Sequence, residues 1–296
     1  MKKSLLLLLV AAVACSAESG KQNQKKSDPP HGMSPPRNTM KAQALGMTPG
    51  EPAQTAKAPP RQSAMLPPLK KVAPVGPRGP APLKVPGFRD ASHTAPWPQG
   101  EWPKPVIVIL HGNFDRPEWE CETWNRAAGH LAWLLCPRGF PNPWATKAEN
   151  RWTYRTHKEL KKEVEGALAA LEAAYPGKVT RKGMMLAGFS LGAILAPHFF
   201  QITGKLFSTL FLVEGGLERL NRKQLTLLKR SGLKGIAFAM GTSNGTRLVK
   251  PLLPFIRYLK LPVYFIEMKG AGHGYGPPFT RAAGPIIKEF LQLEHK

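Results

Sequence analysis

The stretch MLAGFSLGAIL, Met185 to Leu195, decides how this chain folds. Ser190 lies here between two apolar runs, and a glycine stands two positions away on each side, at Gly188 and Gly192. A nucleophile at the end of a buried strand needs small neighbours at these positions, because the strand and the following helix approach each other closely. The alternative is a turn loosened by two glycines, in which the serine is incidental. The elements on either side of the stretch distinguish the two interpretations.

Short apolar runs alternate with helical periods after Trp102. Continuous apolar runs with β-branched residues are typical of buried strands, and apolar residues on one stripe are typical of helices. The predicted strands are 105–110, 130–136, 183–188, 208–213, 235–240 and 262–268. The predicted helices are 117–128, 156–175, 191–203, 217–230, 246–259 and 278–293. This alternation predicts an α/β fold with a mostly parallel central sheet and helices on both faces.

In this context the pentapeptide GFSLG resembles the nucleophile elbow of the α/β-hydrolase family, with Ser190 as the nucleophile. The stretch ILHGNFD (109–115) is similar to the His-Gly loop that follows an earlier strand in that family. The resemblance implies an oxyanion hole made of backbone amides from Asn113, or less favourably from its neighbour Phe114, and from Leu191.

The family's general base is a histidine on a loop after the last strand. The stretch KGAGHGYGP (269–277) follows the last predicted strand and carries His273 between glycines, which allow the loop to reach the serine. The resemblance therefore implies that His273 is the base. His111 is expected to pack the loop that contains it.

The acid of the expected triad is ambiguous, because the chain has no aspartate between Ser190 and His273. Glu214 directly follows a predicted strand, where some family members carry their acid. Asn244, in GTSNG, stands at the usual acid position. An amide orients an imidazole, but in a Ser-His-Asp triad an Asp-to-Asn change costs roughly 10⁴ in rate. Glu214 is the favoured acid, Asn244 is the alternative acid position, and a defective triad is the third interpretation.

The N-terminus has the pattern of an export signal. Two lysines precede an apolar run at 5–13 that is too short to span a bilayer. The run ends in AVACSAES, which resembles the lipobox of bacterial lipoproteins, whose cysteine is lipidated and becomes the new N-terminus. The resemblance implies a signal peptide at 1–14 and a lipid anchor to a cell-envelope membrane on Cys15. Ordinary cleavage after Ala17, which would give a periplasmic or secreted protein, is the alternative.

If Cys15 carries lipid, Cys121 and Cys136 are the remaining cysteines. An even remainder in an oxidising compartment suggests one disulfide, which adjacent βαβ elements would bring together. Such a bridge would contribute about 3 kcal/mol for a loop of about 15 residues. Two free buried thiols are the alternative.

Residues 15–96 are rich in Pro, Lys, Gln and Ser and have no apolar period. Such a segment cannot bury enough apolar surface to offset its chain entropy, which predicts a disordered basic tether before a hydrolase domain at 97–296. A first strand or a loop that begins to pack near Pro82 to Trp102 is the alternative for the end of this segment. Part of the formal charge of +23 belongs to this tether. No motif of a nucleic-acid-binding module is present, so no specific nucleic-acid partner is expected. No ligand cluster has a suitable spacing for a metal, and no cofactor is implied.

Together the resemblances imply a serine hydrolase that cleaves a carboxylic ester or a related acyl substrate through an acyl-enzyme on Ser190. The chain is similar to the compact esterase and dienelactone-hydrolase-like members of the family, without a large inserted cap. The missing aspartate keeps a second function open, a non-catalytic hydrolase-like lipoprotein that binds ligands or tethers the envelope.

Overall fold

The computed structural model describes residues 79–97 and 101–293. The strands are β1 (Ala81–Leu83), β2 (Ala91–Thr94), β3 (Lys104–Leu110), β4 (Trp133–Cys136), β5 (Phe140–Pro141), β6 (Trp152–Thr153), β7 (Val179–Phe189), β8 (Thr209–Val213), β9 (Gly235–Met240) and β10 (Val263–Glu267). The helices are α1 (Pro117–Ala128), α2 (His157–Ala174), α3 (Leu191–Ile202), α4 (Arg222–Arg230), α5 (Ser243–Val249), α6 (Leu253–Tyr258) and α7 (Pro277–Gln292).

The main sheet has eight strands in the order β1-β2-β4-β3-β7-β8-β9-β10. Strand β2 is antiparallel to both of its neighbours, and the strands from β4 to β10 in this order are all parallel. Strands β5 and β6 form a separate two-stranded hairpin. The predicted α/β architecture with a mostly parallel sheet is confirmed.

Side chains of the sheet alternate between two apolar cores. In β3, for example, Val106 and Val108 face one core, whereas Ile107 and Ile109 face the other. Helices α2 to α6 pack on the first core, and α1 and α7 pack on the second. Strands buried on both faces are apolar along their whole length, which is why they read as continuous runs in the sequence.

Two predicted helices are divided in the structure. The predicted helix 217–230 consists of a 3₁₀ turn at Leu217–Arg219 followed by α4. Extended backbone at Leu220 ends the turn, and the Asn221 side chain caps α4 by accepting the Gln224 N–H. The predicted helix 246–259 is likewise divided into α5, a 3₁₀ turn at Lys250–Leu252 and α6.

The predicted boundary of the folded domain at residue 97 is wrong. Strands β1 and β2 precede it, and β2 is buried and pairs with β4, with Ser92 opposite Cys136. These strands have three and four residues and include Pro82 and polar side chains, so the sequence has no apolar period there. The predicted signal peptide (1–14), Cys15 and the predicted tether up to residue 78 lie outside the described residues.

The predicted disulfide is confirmed. Cys121 in α1 and Cys136 at the end of β4 are bonded across a sequence separation of 15, and both side chains are buried. The bridge holds α1 against the sheet next to the loop that precedes this helix. In the part of the chain that the structure describes, no helix combines the length and the apolar character needed to cross a bilayer.

Candidate active site

Ser190 occupies the sharp turn between β7 and α3, with a φ of 49° and a ψ of −113°. A left-handed φ is uncommon for a residue with a side chain, and such strain concentrates at functional sites. The turn is held by the Ser190 N–H, which donates to the Val213 carbonyl at 2.9 Å, and by the Ser190 carbonyl, which accepts the Ile194 N–H at 2.9 Å. The serine thus lies at the carboxyl end of the sheet, where ligands bind in α/β proteins.

The glycines beside Ser190 are required by close packing. A Cβ atom on Gly188 would lie 2.5 Å from the carbonyl carbon of Gly192, and one on Gly192 would lie 2.1 Å from the Leu110 carbonyl oxygen. Both distances are far shorter than an ordinary contact between non-bonded atoms. The close approach of strand and helix that the sequence predicted is therefore present.

His273 lies in the loop between β10 and α7, and its Nε2 is 2.8 Å from Ser190 Oγ. When the ring proton is on Nδ1, which faces Glu214, Nε2 accepts a hydrogen bond from the serine hydroxyl. The ring also packs on Phe189, with 5.3 Å between the ring centroids. The side chain is 56% exposed, so a substrate can reach it from solvent.

Glu214 directly follows β8, and its side chain is only 1% exposed. Its Oε2 lies 3.5 Å from His273 Nδ1. This is an ion-pair distance rather than a hydrogen bond, and contacts of this kind often tighten when substrate binds. The other oxygen, Oε1, accepts the backbone N–H groups of Gly241 and, at 3.4 Å, of Thr242. The carboxylate is therefore held in one orientation behind the imidazole.

Asn244, the alternative acid position, has a different environment. Its side chain is exposed, and its Oδ1 accepts a hydrogen bond of 2.9 Å from Arg247. It lies at the start of α5 and lines the cleft beside the serine without contacting His273. Of the two positions, the structure brings Glu214 to the imidazole.

The loop after β3 is shaped by hydrogen bonds to its own carboxylate. Asp115 accepts the backbone N–H of Gly112 at 3.2 Å and that of Arg116 at 2.7 Å. The Asn113 side-chain oxygen accepts hydrogen bonds from Asn142 at 3.0 Å and from Thr153 at 2.8 Å. These contacts fix the shape of the loop and occupy the side chain of Asn113 rather than its backbone N–H.

Three amides are available for the predicted oxyanion hole. The backbone N–H groups of Asn113, Phe114 and Leu191 donate no hydrogen bond to any acceptor among residues 79–97 and 101–293. Leu191 is the first residue of α3, where an N–H has no partner within the helix. Gly112 approaches the same turn, since a Cβ on it would lie 3.0 Å from the Phe189 ring.

His111 is buried below this loop. Its ring stacks on Tyr154 with 4.4 Å between centroids, and its nitrogens lie 2.7 Å from the Gly112 carbonyl and 2.9 Å from the Arg138 carbonyl. Burial lowers the pKa of His111, which favours the neutral ring. The contacts fit the packing role expected from the sequence.

A cleft of about 300 Å³ opens at Ser190, Glu214 and His273. Its other lining residues are Ile194, Gly215, Leu217, Glu218, Met240, Thr242, Asn244, Gly245 and Leu248. A larger cavity of about 790 Å³ lies among Lys104, Thr180 and Lys288, at the amino ends of β3 and β7. That cavity contains no serine, cysteine or histidine in its lining, so the smaller cleft is the candidate active site.

A buried polar group behind the site was missed in the sequence. The Tyr275 hydroxyl contacts Glu120 and Trp124, both on α1. Burial, and next the charge of Asp115, raise the pKa of Glu120 well above its usual range. The sequence signal was the spacing of Glu120 and Trp124, which puts both on the face of α1 that packs against the sheet.

Among residues 79–97 and 101–293, no three His, Cys, Asp or Glu side chains are grouped to hold a metal ion.

No family model and no curated protein matches the chain, but solved structures match its fold. A feruloyl esterase module from Clostridium thermocellum, a serine-to-alanine mutant complexed with sinapinate, is 12% identical with a TM-score of 0.50, covering 74% of this chain and 88% of that one. Esterase PE8 is 15% identical with a TM-score of 0.48, covering 71% and 100%.

The acylaminoacyl peptidase from Pyrococcus horikoshii is 17% identical with a TM-score of 0.48, covering 73% of this chain and 41% of that one. The chain thus spans about two fifths of that peptidase's length. At identities this low, structural similarity bears on the fold alone. The activity has to be argued from the site itself. On strand order, helix placement and the likeness to the feruloyl esterase module, the chain has the α/β-hydrolase fold.

Proposed function

We propose that the protein is a serine hydrolase that cleaves a carboxylic ester or a related acyl substrate through an acyl-enzyme on Ser190. The observation that carries the proposal is the 2.8 Å contact between Ser190 Oγ and His273 Nε2, with the buried Glu214 carboxylate 3.5 Å behind the ring. A hydroxyl, an imidazole and a carboxylate in this order form the arrangement that activates serine as a nucleophile.

In the proposed reaction, His273 accepts the Ser190 proton as the serine oxygen attacks the carbonyl carbon. Glu214 stabilises the resulting imidazolium through Nδ1. The amides of Asn113 and Leu191 donate hydrogen bonds to the oxyanion. His273 then returns the proton to the leaving oxygen, which releases the alcohol and leaves the acyl group on Ser190. His273 next takes a proton from water, which attacks the acyl carbon, and returns the proton to Ser190 Oγ as the bond to the serine breaks and the carboxylic acid leaves.

The size and lining of the cleft beside Ser190 favour a substrate with a small apolar group on one side of the scissile bond. Its volume of about 300 Å³ is at the lower end of the range for ligand pockets. Its apolar side chains are Ile194, Leu217, Met240 and Leu248. We therefore propose that one side of the ester is short.

A fluorophosphonate probe tests the proposal, because it reacts with an activated serine hydroxyl. We expect the wild-type protein to be labelled, Ser190→Ala to lose labelling, and Ser231→Ala, a matched change at the C-terminus of α4, to keep it. Circular dichroism would establish that each variant is folded. A folded wild-type protein that is not labelled and does not hydrolyse a short nitrophenyl ester would contradict the proposal.

A non-catalytic binding or envelope-tethering protein is the alternative, and it rested on the missing aspartate. The contact of Glu214 with His273 supplies a carboxylate and weakens that argument. The same labelling experiment distinguishes the two functions. Capture of partners that depends on the N-terminal segment, with an unreactive Ser190, would favour the alternative.

We also propose that the protein is exported and anchored to a bacterial cell-envelope membrane through lipid on Cys15, the alternative being a periplasmic or secreted protein. The sequence pattern around Cys15 supports this, as does the Cys121–Cys136 disulfide, since disulfides persist in oxidising compartments. We expect Cys15→Ser to abolish incorporation of labelled palmitate and to release the protein from the membrane fraction. Unchanged fractionation would contradict the anchor.

A further inference from the structure

Arginines lie over aromatic rings in two groups, one at the loop after β3 and one at the hairpin that is hydrogen-bonded to this loop. Trp119 lies between two of them, with Arg151 Cζ 4.4 Å and Arg116 Cζ 4.9 Å from the ring centroid. Arg151 also lies 5.6 Å from the centroid of Phe114. Similar stacks cover the hairpin of β5 and β6. The arginine–aromatic surface consists of Arg89, Phe114, Arg116, Trp119, Arg138, Phe140, Arg151, Trp152 and Arg155.

This surface adjoins the candidate active site. Phe114 follows Asn113, whose amide is a proposed oxyanion donor, and Gly112 approaches the ring of Phe189, the residue before Ser190. Because consecutive Cα atoms are about 3.8 Å apart, the Cα of Phe114 lies within about 8 Å of that of Gly112. A group bound at Phe114 is therefore close enough to belong to a substrate whose carbonyl lies at the serine.

Hydrogen bonds fasten the rest of the surface to the same loop. Thr153 of β6 donates to the Asn113 side chain at 2.8 Å. The backbones of Asp115 and Trp152 exchange two hydrogen bonds, of 3.4 and 2.9 Å. The surface and the loop are thus held together as one unit.

The positive charge of the surface is largely unpaired. Arg138 pairs with Glu118. In the part of the chain that the structure describes, the other four arginines have no carboxylate within 4.0 Å; they are Arg89, Arg116, Arg151 and Arg155.

The acidic groups near the surface are engaged elsewhere. Asp115 accepts two backbone N–H groups, and Glu120 is buried against Tyr275. Glu149 is exposed, its carboxylate accepts hydrogen bonds from Thr146, and its backbone carbonyl accepts one from Arg116. Two carboxylates still act on these arginines at longer range: the exposed Glu149 attracts Arg151, and the buried Glu163 attracts Arg89. Among the described residues, four of the five guanidinium groups therefore have no carboxylate in direct contact.

We propose that the arginine–aromatic surface is a substrate subsite that binds a carboxylate-bearing aromatic group on one side of the ester, a proposal that rests on the proposed hydrolase function. Guanidinium groups bind carboxylates through paired hydrogen bonds. Phe114 and Trp119 are 38% and 44% exposed, and the ring edges that the arginines leave open can contact an aromatic group. The short apolar part of the substrate occupies the cleft on the other side of Ser190.

Two acetate esters that differ in charge test this subsite, 4-acetoxybenzoate and the neutral 4-acetoxybenzamide. The quantity measured is the ratio of kcat/KM for the benzoate to kcat/KM for the benzamide. We expect Arg151→Gln to lower this ratio about tenfold, chiefly through KM, as for loss of one charged hydrogen-bond partner. Arg151→Lys keeps the positive charge and should therefore retain part of the wild-type preference for the benzoate. Arg181 lies on β7 and pairs with Glu172 of α2, away from this surface. Arg181→Gln is therefore the matched control and should leave the ratio unchanged.

Ionic strength gives a second measurement that needs no variant. Raising salt from about 0.05 to about 0.5 M should lower the wild-type ratio, because it screens exposed charges. A ratio that changes neither with salt nor in Arg151→Gln overturns the subsite.

Two further results separate this proposal from others. Fluorophosphonate labelling of Ser190 with an unchanged ratio overturns the subsite and leaves the hydrolase function standing, whereas an unlabelled wild-type protein overturns both. Arg151→Gln could instead weaken binding to phosphatidylglycerol vesicles while the ester ratio stays the same. That result would mean that the surface binds membrane lipid, and it would overturn the substrate role.

Discussion

The Tyr275 hydroxyl donates a hydrogen bond of 2.6 Å to Glu120 and so joins the loop of His273 to helix α1. The same hydroxyl accepts a hydrogen bond of 2.9 Å from the Trp124 indole. The tyrosine ring stacks on Phe189 with 5.0 Å between centroids, and Phe189 packs on His273. One side chain thus supports both the imidazole and the strand that carries the serine.

Tyr275→Phe should therefore lower both stability and turnover. It leaves the Glu120 carboxyl and the Trp124 indole without their partner, and we expect the free energy of unfolding to fall by about 1–3 kcal/mol. Because the loop of His273 loses an anchor, kcat for a nitrophenyl ester should fall more than KM rises. Chemical denaturation and steady-state kinetics measure the two effects. Tyr258→Phe is the control, since that side chain is 79% exposed, and equal behaviour of both variants would contradict the anchoring role.

Glu120 should make stability depend on pH. Its pKa is raised well above the ordinary 4.5 by burial and next by the charge of Asp115, so the folded protein binds this proton more tightly than the unfolded chain. Its contribution to stability is complete below the unfolded pKa and is lost as pH rises through the folded pKa. The stability of wild type relative to Glu120→Gln should therefore fall as pH rises from about 5 to about 8.

Urea denaturation of both proteins at a series of pH values measures this difference. The comparison with Glu120→Gln is necessary because other buried groups, such as Glu163 and His111, also have shifted pKa values. Glu122→Gln, on the exposed side of the same helix, controls for the loss of one acidic residue. A difference that stays constant with pH would mean that Glu120 is not protonated in the folded protein.

The acid of the proposed triad can be identified by a pair of variants. Glu214→Gln keeps an oxygen for the Gly241 amide but removes the charge behind His273, so we expect kcat for a short nitrophenyl ester to fall by roughly 10³–10⁴. Asn244→Ala should lower it less than about tenfold, because its amide bonds to Arg247 and not to the imidazole. The reverse order of effects would make Asn244 the orienting group.

The disulfide should contribute measurably to stability. Replacing Cys121 and Cys136 together by serine should cost about 3 kcal/mol, the chain-entropy value for a loop of this length. A reductant should lower the melting temperature of the disulfide-containing protein and have no effect on the double variant. Both proteins should carry Cys15→Ser so that they differ only at these two positions. A reductant that acts equally on both would contradict the prediction.

Most of the fold could be predicted because the decisive signals are local. Strands buried on both faces are apolar throughout, and the six predicted from such runs are all in the sheet. The elbow at Ser190 needs glycine at two nearby positions for steric reasons that involve only its own strand, its own helix and β3. The short strands β1 and β2 have neither signal, because their burial comes from pairing at the edge of a sheet built by later residues.

The arrangement behind the histidine depended on distant parts of the chain. Sequence order left Glu214 and Asn244 both open, and the choice follows from the pairing of β8 with β9, which brings the Glu214 carboxylate to the amide of Gly241. The contact of Tyr275 with Glu120 spans 155 residues. Neither contact leaves a periodic pattern in the sequence, because each depends on which side chains meet when separate elements pack. Local sterics and apolar pattern were thus sufficient for the strands and the turn, whereas the partners of the imidazole required long-range packing.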